Sequence, residues 1–303
     1  MCIRDSILLD QTLLVQWLGS AVILQNTTDL NLENRSIGTL EANTFIGLVD
    51  LQILSLGFNQ LSSLPQTIFY GLANLNLVLL YNNELSTLPA NLLDGLYNLT
   101  ILNLDFNRLV TLPPNFFASA VNLNYLSLQG NQIQALSTTF FHGLFNLNSL
   151  LLSLNQLASL PETVFEELIN MNNLYLSNNQ LSMLPSNIFK SLQQLSFLTL
   201  ENNTLEALPD NIFNGLTSLE YLYLGGNILT TLPDTIFSGL TSLSTLGLND
   251  NLLSTLPDNL FTSLNNTDIL CVNFQNNPLY YYNMTYLFDI CNNKIGSYCQ
   301  IKT

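Results

Sequence analysis

Side-chain catalysis needs a base within reach of a nucleophile, and the residue types that serve are scarce in this sequence. The one histidine, His142, falls in a Phe-His-Gly-Leu turn with no nucleophile arranged around it, so it reads as a surface residue. Glycines recur in the turns and never form the cluster that cradles a phosphate. Asp210, Asp234 and Asp258 each follow a proline at one fixed spacing and would stack as a stripe of oxygens suited to a hard cation. Asp in that place more often caps a short helical segment, and capping is the role expected of them. Of the four cysteines, Cys2, Cys271, Cys291 and Cys299, none makes a CxxC or Cys/His metal spacing. Cys271, Cys291 and Cys299 crowd the carboxy-terminal end and are disulfide candidates for a stapled terminus, which implies an oxidising compartment; buried free thiols are the alternative. The chain is therefore expected to be no enzyme and to use no cofactor and no metal.

Recognition remains, and charge limits what is recognised. Six basic residues against 21 acidic ones give a net charge of -15. A surface that neutralises phosphate backbones needs clustered Lys and Arg, so nucleic acid is excluded as an expected partner. Docking on anionic lipid is excluded on the same ground. The stretch from Ile7 to Gln25 is apolar, but Asp10, Gln11 and Gln16 interrupt it, and it reads as the edge of the fold or the remnant of a longer chain. No other stretch is apolar enough to span a bilayer, and no membrane insertion by this chain is expected.

The elements that must position any binding residue are set by a repeat of 24 residues. One unit reads LQILSLGFNQLSSLPQTIFYGLAN, Leu51 to Asn74, and its frame returns at Leu75, Leu99, Leu123, Leu147, Met171, Leu195, Leu219 and Leu243. One asparagine recurs without slippage, at Asn59, Asn83, Asn107, Asn131, Asn155, Asn179, Asn203, Asn227 and Asn251. A degenerate unit precedes these, with Leu30, Leu32, Ile37 and Phe45 in frame but Arg35 in the asparagine position. A two-residue insertion at Asn265-Asn266 shifts the frame before Val272, Phe274 and Asn277 restore it. The count is about eleven coils in one solenoid, divided as residues 1–26, an edge or incomplete cap; 27–268, the repeats; and 269–303, the last repeat and a cysteine-containing cap.

The pattern LxxLxLxxNxLxxLPxxxFxGLxx resembles the typical subfamily of leucine-rich repeats over nearly the whole chain, from about Thr27 to Leu279. Asn26-Thr27-Thr28-Asp29-Leu30 is similar to that family's lead into its first repeat, and Asn277-Pro278-Leu279 to the step into its carboxy-terminal cap. The paired cysteines that follow that step in the family are absent here, as is an amino-terminal cysteine cap. The resemblance implies an α/β right-handed horseshoe, with a parallel β-sheet on its concave face and irregular or short helical segments on its convex side. It also implies a secreted or cell-surface recognition protein; an intracellular scaffold or regulatory subunit of the same fold is the alternative.

The residue types say why such a coil forms. In LxL the period of two sends Leu54 and Leu56 inward and Ile53, Ser55 and Gly57 outward. The return path carries Leu61, Leu64, Phe69 and Leu72, and a phenylalanine recurs at Phe45, Phe69, Phe117, Phe141, Phe165, Phe189, Phe213, Phe237 and Phe261, with Leu93 the exception. Stacked aromatics of that kind are core. Proline after leucine, as at Pro65 and Pro209, stops the strand from continuing. The recurring asparagine sits where the chain leaves the strand, so its amide can satisfy backbone groups that no ladder reaches.

Outward positions are free of packing duty and define the candidate site. One column holds Ile53, Leu77, Ile101, Tyr125, Phe197 and Tyr221; the next Leu79, Leu151, Tyr175 and Tyr223; a third Tyr81, Asp105 and Glu201; and the position after it Phe58, Phe106, Asn178 and Asp250. No Lys or Arg occupies any of them. Clustered apolar and aromatic groups on one face mark an interaction surface. The expected ligand-binding residues are Tyr81, Asp105, Tyr125, Tyr175, Phe197, Glu201, Tyr221 and Tyr223, for a protein, peptide or glycan that is neutral or cationic. Sequons at Asn26, Asn34, Asn98, Asn202, Asn265 and Asn283 are compatible with secretion but no more frequent than composition supplies.

Overall fold

A computed structural model describes residues 6–18, 26–258, 260–261, 264 and 271–279. Cys2, Cys291 and Cys299 lie outside the described residues, as does the side chain of Cys271, and so do the sequons at Asn265 and Asn283. The chain divides into two compact units, residues 1–134 with 139–150 and residues 135–138 with 151–303.

In the first unit the repeats give β2 (Asp29–Asn31), β4 (Ile53–Ser55), β5 (Leu77–Leu79), β6 (Ile101–Asn103) and β7 (Tyr125–Ser127). They pair in parallel with Leu30, Leu54, Val78, Leu102 and Leu126 in one register. The same unit holds β1 (Ile7–Leu9), α1 (Gln11–Leu18) and β3 (Ile37–Leu40). β1 pairs in parallel with β3 as a separate two-stranded sheet. The Asp10 carboxylate accepts from the Leu13 amide at 2.7 Å and so caps α1. β8 (Ser149–Leu151) contains the boundary between the units.

In the second unit β9 (Asn173–Tyr175), β10 (Phe197–Thr199), β11 (Tyr221–Tyr223), β12 (Thr245–Gly247) and β13 (Cys271–Asn273) repeat the arrangement. Leu246 pairs with Val272, 26 residues on instead of 24, so the insertion before β13 is absorbed without loss of register. Each unit is thus a stretch of parallel β-solenoid.

Three residues per strand suffice because each coil closes on its own core. Leu54, Leu56, Leu61, Leu72 and Leu75 are at most 1% exposed, and the same positions are buried in the following coils. The phenylalanines stack: Phe189, Phe213, Phe237 and Phe261 have successive centroids 6.3, 6.5 and 6.2 Å apart, their planes within 13° of parallel. Burying each ring stabilises by about 2–3 kcal/mol.

On the return side no α-helix forms for Asp210 or Asp234 to cap. After Pro209 the chain runs through single turns, Ile212 N–H to Pro209 O at 3.2 Å and Asn214 N–H to Asn211 O at 3.0 Å, and no α-helix follows Asp210, Asp234 or Asp258 among the described residues. Buried Ile212, Phe213 and Leu216 follow Pro209 within a few residues and leave too short a run between core contacts to nucleate a helix.

Each ladder asparagine does more than close its own turn. Asn83 Nδ2 donates to Leu80 O in its own coil and to Leu56 O in the coil before, both at 3.0 Å, while Oδ1 accepts from the Leu61 N–H at 3.0 Å. Asn107, Asn203 and Asn227 repeat this set. The asparagine therefore joins neighbouring coils through their backbones, and the nine are buried, with 3–8% exposure.

Candidate ligand-binding face

The outer face of the repeat strands is built from the outward columns, but not all of those positions are open. Ser55, Ser127, Ser153 and Thr199 are buried, and so is Gly57, where the sequence pattern predicts exposure. Strands lie about 4.8 Å apart, so a short residue is covered by large in-register neighbours. Thr199 stands between Tyr175 and Tyr223, and the Tyr81 ring comes within 2.7 Å of where a Cβ on Gly57 would sit.

In the first unit the Tyr81 hydroxyl donates to Glu33 Oε1 at 2.7 Å, Ser55 donates to the same oxygen, and the Phe58 ring meets Tyr81 edge-on at 5.2 Å. The hydrogen bond to Glu33, then burial, pushes the Tyr81 phenol up to about 12. The Asp105 carboxylate accepts from the Ser127 hydroxyl and from the Gln129 N–H at 2.8 Å. Burial raises its pKa, against the pull of those bonds. Tyr125 lies in β7 and is half-buried.

In the second unit four of the expected residues come together. Phe197 is the centre, with Tyr175 at 4.9 Å, Tyr223 at 5.5 Å and Tyr221 at 5.9 Å between ring centroids. Glu201, two positions beyond Thr199, is half-buried, and the Thr199 hydroxyl lies 3.5 Å from it. Burial raises the Glu201 pKa, and burial followed by the Glu201 charge raises that of Tyr223.

Sequence reasoning missed a backbone feature that shapes the edge of this face. The residue before each ladder asparagine has a positive φ: Asn82, Asn178, Asn202 and Asp250 at 52–55°, Gly130 and Gly226 at 66–67°, but also Phe58, Phe106 and Leu154 at 50–57°. The signal was present as the Asn, Asp and Gly that dominate the column, residues that tolerate the left-handed region. A second asparagine series was equally legible: Asn74, Asn98, Asn122 and Asn146 each donate from Nδ2 to the backbone carbonyl 25 residues earlier, at 2.8–3.1 Å.

Comparison with known proteins follows this geometry. The family described as Leucine rich repeat matches residues 50–109, 97–157, 121–181, 145–205, 169–229 and 195–253. The chain belongs to the leucine-rich repeat family. No curated protein matches this leucine-rich repeat chain significantly. Among solved structures, it is similar to a chain of the Toll–Spatzle complex of Drosophila in its glycosylated form, 28% identical with a TM-score of 0.74 over 90% of this chain and 39% of that one. It is also similar to a chain of an octameric complex of Latrophilin 3, Unc5D and the leucine-rich repeats of FLRT2, 24% identical with a TM-score of 0.78 over 92% and 84%. A chain of the TLR13 complex with single-stranded RNA is 26% identical with a TM-score of 0.60 over 85% and 46%. The chain thus spans about two fifths of the Toll chain's length. Among the described residues no helix is long and apolar enough to cross a membrane.

Proposed function

We propose that this leucine-rich repeat chain is a non-enzymatic recognition module, outside the cell or at its surface, that binds a neutral or cationic protein, peptide or glycan on the outer face of its sheet. The observation that carries the reading is the joined aromatic group Tyr175, Phe197, Tyr221 and Tyr223, placed in outward columns that hold no Lys or Arg. Rigid aromatic area is what binding interfaces concentrate. Spatzle with Toll, and Latrophilin 3 and Unc5D with FLRT2, are protein partners of similar chains, which supports a protein ligand. The RNA of the TLR13 complex is a poor guide, because a net charge of -15 repels a phosphate backbone. A disulfide among Cys271, Cys291 and Cys299 would mark an oxidising compartment, as expected of a last repeat and cysteine-containing cap over residues 269–303; mass spectrometry finding every thiol free would move the chain inside the cell.

The test is capture from an array of secreted proteins and ectodomains by wild type and by a Tyr175→Ala, Tyr221→Ala, Tyr223→Ala triple variant. Loss of captured partners by the variant supports the reading, and equal capture removes the aromatic group from it.

A further inference from the structure

In the second unit a carboxylate stands beside aromatic rings, and no cation among the described residues is set against it. Tyr175 and Tyr223 flank Thr199 in register, and both rings lean on Phe197 with interplanar angles of 33° and 47°. Thr199, 4% exposed, is the floor between them. Glu201 lies just beyond, and its contact with the Thr199 hydroxyl at 3.5 Å is too long for a strong hydrogen bond. At the equivalent place in the next coil stands Gly225, with no side chain to cover the carboxylate. Among the described residues the basic side chains are Arg35, Arg108 and Lys190. Arg35 lies over the Trp17 ring at 5.3 Å, Arg108 pairs with Glu84 at 3.1 Å, and Lys190 is on the return path.

Two attractions therefore converge. Aromatic faces carry negative charge that draws a cation, and a carboxylate removed from water keeps much of its field. A guanidinium answers both, because it stacks flat on a ring while its planar edge meets a carboxylate through two N–H groups. An ammonium is a compact, strongly hydrated point charge and loses more on leaving water.

We propose that Tyr175, Phe197, Tyr223 and Glu201 receive one arginine side chain presented by a protein partner. This rests on the reading of the outer sheet face as the binding surface, and it names the group on the partner that the face selects. The upward pKa shift of Glu201 through burial accords with a carboxylate that lacks its counter-ion.

Isothermal titration of the full chain with acetyl-Gly-Arg-Gly-amide, and with its citrulline and lysine counterparts, is the test. Arginine binds, the isosteric but neutral citrulline binds at least about tenfold more weakly, and lysine falls below arginine. Glu201→Gln weakens arginine binding about tenfold, and Tyr175→Ala with Tyr223→Ala abolishes it, both with unchanged circular dichroism. Absent arginine binding, citrulline or lysine binding as tight as arginine, or indifference to both variants overturns the assignment. The two failures are separable: partners lost by the triple tyrosine variant keep the binding face whatever arginine does, whereas equal capture by that variant removes the face itself.

Discussion

Replacing Asn203 by alanine tests the bonds that join the coils, because every atom left behind can be followed. Asn203 Nδ2 donates to Leu176 O and Leu200 O at 3.0 Å, and Oδ1 accepts from the Leu181 N–H at 3.0 Å. The carbonyls are not stranded by the change, since Leu176 O also accepts from Asn179 at 3.1 Å and Leu200 O from Asn227 at 3.0 Å. The Leu181 N–H is stranded, in a residue that is fully buried. An orphaned buried donor costs about 1–3 kcal/mol and each lost bond with a surviving alternative about 0.5–1, so Asn203→Ala destabilises by about 3 kcal/mol. Asn203→Asp keeps an acceptor for Leu181 but turns a carboxylate on two carbonyl oxygens, and it costs more. Urea denaturation reads the total, and amide hydrogen exchange at Leu181 reads the place, which matters because repeat arrays need not unfold in one step. A loss below about 1 kcal/mol with Leu181 protection unchanged would refute the claim that the asparagine series holds neighbouring coils together.

Two further outcomes follow from particular side chains. Tyr81 titrates at about 12 in a ¹³C-ring titration, and Glu33→Gln brings it down toward the ordinary 10.0. Because its folded pKa lies above the ordinary 10.0, the stability it contributes is intact below pH 10 and disappears as pH rises through 12. Leu154→Asn relieves a bulky side chain held at φ 57° where neighbouring coils carry Asn or Gly, and thermal denaturation should show a gain of about 1 kcal/mol; a loss would mean that the exposed leucine packs usefully.

The coil was legible because its determinants are local and repeated. Nine asparagines, a phenylalanine column and LxL strands, one period apart, leave a single way to bury the leucines, and even the two-residue insertion before β13 was visible in the frame. What the pattern could not give depends on neighbouring coils. Ser55, Ser127 and Thr199 alternate correctly yet are covered, because exposure there is decided by residues 24 positions away. Asn83 was placed at its turn, but its reach to Leu56 O emerges only when coils are stacked. Of the expected site, Tyr175, Phe197, Tyr221 and Tyr223 share a ring cluster because their columns adjoin, while Asp105 is engaged by Ser127 and Gln129 within its own sheet.

Hydroxyl-radical footprinting of the tyrosines, with and without a captured partner, tests recognition by the outer sheet face most directly. Tyr70 and Tyr97, 79% and 60% exposed on the return path, serve as internal references. Protection of Tyr175, Tyr221 and Tyr223 with Tyr70 and Tyr97 unchanged is the predicted result; unchanged oxidation of the first three with protection of Tyr70 and Tyr97 would contradict it.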